Sequence, residues 1–242
     1  KPMGELEFEK CVSLYSEVVL AGEKYADLIL IETMSDTYEI KAAVLAAKEN
    51  SNLPILVTMI FDESGRLLTG ADIKTAVAML EGLGIDGIGF NCGLVPKQMK
   101  TLLPKLQEAT SLPIIVNPNA GLPESVNGKT VFNVSPNDFA DELSGFDVAA
   151  LGGCCGTTPS HIKCLIEKLK NKKAFVQSKK NFSIVSSYSK SVEIGHKPVV
   201  IGERINPTGK KRFKEALREN DIDYILKEGF SQSEKGAEIL DV

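Results

Sequence analysis

The sequence predicts an α/β chain: a run of consecutive strand–helix units, with a second, shorter α/β segment behind it. Three observations predict this. Five short apolar runs recur between residues 28 and 151, each followed by a helix-like segment. Apolar runs without polar alternation are the pattern of strands buried on both faces of a parallel sheet. A serine-rich stretch then interrupts the alternation, and a new apolar strand follows it.

In order, an amphipathic helix is predicted from about Glu7 to Lys24. The strand candidates are Leu28–Glu32, Ile55–Ile60, Gly87–Asn91, Ile114–Asn117 and Val148–Leu151. The helix candidates between and after them are Thr37–Glu49, Gly70–Gly82, Lys97–Thr110, Asn137–Ser144 and Ser160–Lys172. Ser135-Pro136 and Thr158-Pro159 each put a capping residue before a proline of the first turn. Residues 1–172 therefore read as a helix followed by five βα units. A closed (β/α)8 barrel needs eight. Two architectures fit: a barrel lacking its first three βα units, or an open sheet of five strands with the same strand-end logic.

Residues 173–197 change character. Lysine pairs flank a segment carrying Ser178, Ser183, Ser186, Ser187, Ser189 and Ser191, which reads as an interdomain linker with an extended piece at Phe182–Val185. Residues 198–242 open a second domain. Pro198–Gly202 is its first strand, helices follow over about Lys211–Arg218 and Asp221–Gly236, and Ile239–Val242 looks like the middle of another strand. The expectation is that this domain is only begun.

Composition limits the function classes. The chain is 43% hydrophobic and 25% charged, ordinary for a globular protein. A net charge of −4 gives no footprint for nucleic acid. No apolar stretch approaches the roughly 20 residues needed to span a bilayer, so no membrane partner is expected. No signal peptide is recognised at Lys1-Pro2-Met3-Gly4-Glu5. Five cysteines, an odd number, argue against a secreted disulfide framework and for the cytoplasm.

The cysteines carry the chemistry. Cys92 stands in Gly-Phe-Asn-Cys-Gly, and Cys154 and Cys155 in Gly-Gly-Cys-Cys-Gly-Thr-Thr-Pro, each group directly after a strand candidate. The loops after parallel strands gather at one face. Three thiols there can hold zinc and leave its fourth position open, which separates a catalytic zinc from a structural one. Neighbouring residues of a regular strand point to opposite faces, so Cys154 and Cys155 converge only if the backbone turns. Gly152, Gly153 and Gly156 permit that turn. Three thiolates and Zn²⁺ sum to −1, which makes a poor Lewis acid toward water. Such an ion still holds an incoming thiol as thiolate near neutral pH, where a free thiol of pKa about 8.5 is mostly protonated. The expected reaction is attack by a substrate sulfur. The competing reading is three buried core cysteines or a non-catalytic zinc-binding fragment. Cys11 and Cys164 lie in helical patterns and read as packing residues; His161 and His196 lack metal-ligand spacing.

These two cysteine segments, with Glu32-Thr33-Met34 and Asn117-Pro118-Asn119-Ala120-Gly121, resemble the homocysteine S-methyltransferase family over roughly residues 3–172. The resemblance implies a (β/α)8 barrel, here without its first three units. It implies zinc held by Cys92, Cys154 and Cys155, with homocysteine as the fourth ligand. Glu32 would receive the homocysteine ammonium, and Asn117 and Asn119 would contact the substrate; Asn91, Asn117 and Asn119 are equally suited to stabilising loops. Ile201-Gly202-Glu203-Arg204-Ile205-Asn206-Pro207-Thr208-Gly209 and Glu234–Val242 resemble the start of a pterin-binding methyltetrahydrofolate domain, a second (β/α)8 barrel. There Glu203, Asn206 and Asp241 would face the pterin. This domain order resembles the cobalamin-dependent methionine synthases. The implied cofactors are zinc, methylcobalamin held by a cobalamin-binding module outside this chain, and methyltetrahydrofolate as upstream methyl donor. A homocysteine methyltransferase with another donor remains the alternative.

Overall fold

The structure, a computed structural model, describes residues 4–173 and 175–242. Residues 1–3 of the first expected domain and Ala174 of the expected linker lie outside the described residues. The chain divides into two compact units. The first runs to Asn181 and includes Ser186–Ser191; the second comprises Phe182–Val185 and Val192–Val242.

The first unit opens with α1 (Phe8–Gly22) and a 3-10 turn at Glu23–Tyr25. The βα units follow: β1 (Ile29–Met34), α2 (Thr37–Asn50), β2 (Ile55–Met59), α3 (Ile73–Gly82), β3 (Gly87–Asn91), α4 (Pro96–Ala109) and β4 (Ile114–Asn117). A hairpin of β5 (Glu124–Val126) and β6 (Lys129–Val131) precedes α5 (Pro136–Ser144), β7 (Ala150–Leu151) and α6 (Pro159–Leu169). The sheet has five strands in the order β1-β2-β3-β4-β7, and every neighbouring pair is parallel. Its register aligns Val57 with Ile88 and Ile88 with Ile114. Those side chains are buried with Ile40, Val44, Leu80, Leu106, Phe139 and Leu143 from the covering helices.

The helix starts follow from their caps. Asp36 Oδ2 accepts from Glu39 N–H (2.9 Å), Asp72 Oδ1 from Thr75 N–H (2.9 Å) and Ser135 Oγ from Asp138 N–H (3.2 Å). α3 begins at Ile73 rather than at Gly70 because Asp72 caps it. β7 is shorter than Val148–Leu151: only Ala150 and Leu151 pair with β4. The hairpin at 124–131 was not expected. Its turn residues Asn127 and Gly128 have φ of 52° and 73°, the left-handed pair that a two-residue hairpin turn demands.

The parts of the serine-rich stretch that belong to the first unit bond to that unit's own helices. Gln177 Nε2 donates to Gln107 O (2.7 Å), and Lys180 pairs with Glu81. Tyr188 Oη donates to Asp36 Oδ1 (2.7 Å), and Thr37 Oγ1 donates to Tyr188 O (3.3 Å).

β8 (Ser183–Ser186) pairs with β9 (Ser191–Ile194); Ser183–Val185 and Val192–Ile194 of this pair belong to the second unit. β10 (Ile201–Gly202), α7 (Lys211–Arg218), α8 (Ile222–Glu234) and β11 (Ile239–Leu240) follow. β10 and β11 are parallel, aligning Ile201 with Ile239. Phe213 and Ala216 are buried on α7. Gln232 Oε1 accepts from Arg204 N–H (2.7 Å), tying α8 to the segment after β10.

Candidate metal centre

Cys92 directly follows β3, and Cys154 and Cys155 follow β7. β3 and β7 flank β4, so the two cysteine loops emerge on either side of one strand. The segment leaving β4 holds both. Cys92 N–H donates to Asn117 O (3.1 Å), Cys154 N–H to Pro118 O (2.9 Å) and Cys155 N–H to Asn119 Oδ1 (3.1 Å). Ala120 N–H returns a bond to Cys155 O (2.9 Å).

The backbone turns where the cysteine pair requires it. Thr157 donates to Cys154 O through its N–H (3.2 Å) and its Oγ1 (2.6 Å), and Gly156 takes φ of 77°. Cys92 itself has φ of 57°, which turns its side chain out of the strand alternation.

The result is convergence. The three sulfurs all lie within 4.8 Å of one another, and Cys92 Sγ and Cys155 Sγ are 3.7 Å apart. Tetrahedral zinc with Zn–S of about 2.3 Å requires sulfurs about 3.8 Å apart. The thiol set therefore fits zinc in both chemistry and spacing. Among the described residues no fourth His, Cys, Asp or Glu joins the cluster.

Without a metal, the surroundings of Cys154 favour its neutral thiol. Burial, then the neighbouring Cys92 charge, pushes the Cys154 thiol up to about 11, against the opposing hydrogen bond from Asn91. A divalent ion reverses this by pairing directly with the thiolates.

The other expected positions fall as follows. Glu32 is exposed on β1, one residue before Thr33. Asn117 ends β4, its carboxamide beside Gly152, where a Cβ would come within 2.6 Å of Oδ1. Asn119 is buried and fastens Cys155. In the second unit, Glu203 follows β10 and receives Lys210 Nζ (3.2 Å), while Asn206 Oδ1 accepts from Thr208 N–H (2.8 Å) in the turn around Pro207. Asp241 follows β11, and its N–H donates to Gly202 O (2.9 Å). Glu203 and Asp241 thus sit at the carboxyl ends of paired parallel strands.

His161 is occupied structurally. Its Nδ1 accepts from Thr158 N–H (3.1 Å), so Nε2 carries the proton and donates to Val134 O (3.0 Å). Cys11 lies in the α1–α2 contact, and Cys164 packs on the main core. Thr33 was not singled out from sequence: its partner, Asn91, is 58 residues away, and no local pattern marks that bond.

A parallel α/β sheet with three thiols converging at its strand ends defines a thiol-chemistry domain. Residues 1–169 match the homocysteine S-methyltransferase family, and the chain belongs to that family. It is 32% identical to the methionine synthase of Mycobacterium leprae (strain TN) over 99% of this chain. It is likewise 32% identical to the methionine synthase of Mycobacterium tuberculosis (strain ATCC 25618 / H37Rv) over 99% of its length. The chain spans 21% of the length of each of these relatives. Among solved structures it resembles the Escherichia coli homocysteine methyltransferase MmuM. For the apo form the TM-score is 0.57 at 24% identity, covering 69% of this chain and 60% of that one. For the metallated form the TM-score is 0.57 at 24% identity, covering 69% and 54%. These likenesses show a shared fold. Among the described residues no helix is long and apolar enough to cross a membrane.

Proposed function

We propose that the chain is the homocysteine-binding part of a cobalamin-dependent methionine synthase, joined to the opening of its folate-binding domain. The observation that carries this is the convergence of Cys92, Cys154 and Cys155 at zinc-compatible spacing, with no fourth His, Cys, Asp or Glu in the cluster among the described residues. Family membership over residues 1–169 supports homocysteine as the thiol. Similarity to methionine synthases over 99% of the chain, beyond the family match, supports a folate-linked donor over another methyl source.

In this reading residues 1–172 are a barrel without its first three βα units, 173–197 a linker and 198–242 the start of a second barrel. Exposed apolar side chains on and just before the edge strand β1, Leu28 and Leu30, support the first assignment. Cys92, Cys154 and Cys155 would hold zinc. Bound there, zinc would keep the substrate sulfur deprotonated, and methylcobalamin from a module outside this chain would supply the methyl group. Glu32 would receive the substrate ammonium, and Asn117 and Asn119 would shape the site around it. Glu203, Asn206 and Asp241 would present acceptors and a carboxamide to the pterin of methyltetrahydrofolate. Three reduced thiols suit the cytoplasm.

X-ray absorption on the zinc-loaded chain, with and without homocysteine, tests the proposal. Addition of homocysteine should raise the zinc–sulfur count from three to four at about 2.3 Å. A count that stays at three under saturating homocysteine would contradict it.

A further inference from the structure

Asn91 is 0% exposed at the last position of β3, one residue before Cys92. Three bonds hold its carboxamide. Thr33 N–H donates to Oδ1 (2.9 Å), and Nδ2 donates to Thr33 Oγ1 (2.7 Å) and to Cys154 Sγ (3.8 Å). A backbone N–H can only donate, so its partner must be the carboxamide oxygen. That fixes the orientation of the amide and aims an Nδ2 hydrogen at the sulfur.

Thr33 is itself unusual. Its φ is 66°, a left-handed conformation that a β-branched residue rarely adopts. The conformation turns both its N–H and its Oγ1 toward Asn91. Strain of this kind persists only where surrounding bonds over-determine the backbone, and the two-point grip of Asn91 supplies those bonds.

We propose that Asn91 is a positioning residue for the metal centre, with Thr33 as its anchor. The pair fixes the Cys154 side chain and gives its sulfur an N–H···S bond. Zinc affinity then depends on residues that touch neither the metal nor the substrate. Thr33 adjoins Glu32, so one hydrogen-bonded unit joins the strand end that would face the substrate ammonium to the sulfur cluster that would face its thiol. The inference rests on the zinc–homocysteine reading.

Outer partners of metal ligands typically tune affinity by about 10–100-fold. The test is zinc affinity by chelator competition, together with the thiolate-to-metal absorption of the cobalt-substituted chain. Asn91→Asp keeps the acceptor for Thr33 N–H but replaces the sulfur's donor with an oxygen. It should lower zinc affinity roughly 10–100-fold and move the cobalt band to longer wavelength. Thr33→Val keeps the side-chain shape, loses only Oγ1, and should shift both readouts less, in the same direction. If Asn91→Asp does not fold, Thr33→Val decides. Unchanged affinity and an unchanged band in the folded variants overturn the positioning role alone. Failure of the wild-type chain to take up zinc overturns the reading of the site and this role with it.

Discussion

The sulfurs of Cys92 and Cys155 stand 3.7 Å apart although 63 residues separate them in the chain. The segment Asn117-Pro118-Asn119 explains the approach, because it accepts a hydrogen bond from each of Cys92, Cys154 and Cys155. The end of β4 is a template on which two otherwise unrelated loops are registered.

Removing one tie of that template should loosen the cluster. Asn119→Ala frees the Cys155 N–H and leaves the other two bonds. Zinc affinity should fall about tenfold or more, while the circular dichroism of the metal-free chain is unchanged. Chelator competition checks it; affinity equal to wild type would show that the Asn119 bond does not register Cys155.

The turn before the cysteine pair has no room for a side chain. A Cβ on Gly153 would collide with the Thr157 side chain, including Oγ1 at 2.7 Å, and Thr157 Oγ1 holds Cys154 O. Gly153→Ala should therefore destabilise the chain by about 1–3 kcal/mol and weaken zinc binding. Denaturant unfolding and a zinc titration on the same variant measure the two effects.

The metal-free cluster should react slowly at Cys154. Its thiol is raised to about 11 by burial and then by Cys92, so at about pH 8 it is protonated, and thiols react as thiolates. Mass-resolved alkylation of the metal-free chain should show Cys154 modification accelerating as pH rises toward that value. Zinc binding at about pH 8 should release protons. Calorimetry in buffers of different ionisation enthalpy counts them, and no release would contradict the prediction.

Glu81 gives an acid-sensitive contribution to stability. Burial opposes its charge, yet bonds from Lys180, Thr110 and Ser111 together hold its carboxyl below the ordinary 4.5. A lowered folded-state value means the contribution is present above the ordinary value and is lost as pH falls through the lowered one. Glu81→Gln should cost about 1–3 kcal/mol near neutral pH, and the gap from wild type should close in acid. Denaturant unfolding across that range measures the gap.

The five strands of the sheet and the helices between them were legible from their apolar runs and from start signals such as Ser135-Pro136, whereas the Asp72 cap that starts α3 was not read. The cysteine cluster was legible because Cys92 and the Cys154–Cys155 pair both follow strands, and parallel order brings strand ends together. The hairpin at 124–131 was legible in principle: Asn127-Gly128 is a hairpin turn signal, but the strands around it are short and exposed. What local sequence could not reveal are contacts across long separations. Asn91 with Thr33, and Tyr188 with Asp36 at 152 residues' distance, depend on how finished elements pack.

The most direct measurement is zinc content by elemental analysis of the reduced chain, in wild type and in Cys92→Ser. One zinc per chain in wild type, and its loss or severe weakening in a folded Cys92→Ser variant, is the predicted result. A folded wild-type chain that takes up no zinc under reducing conditions would contradict the thiol-activating site.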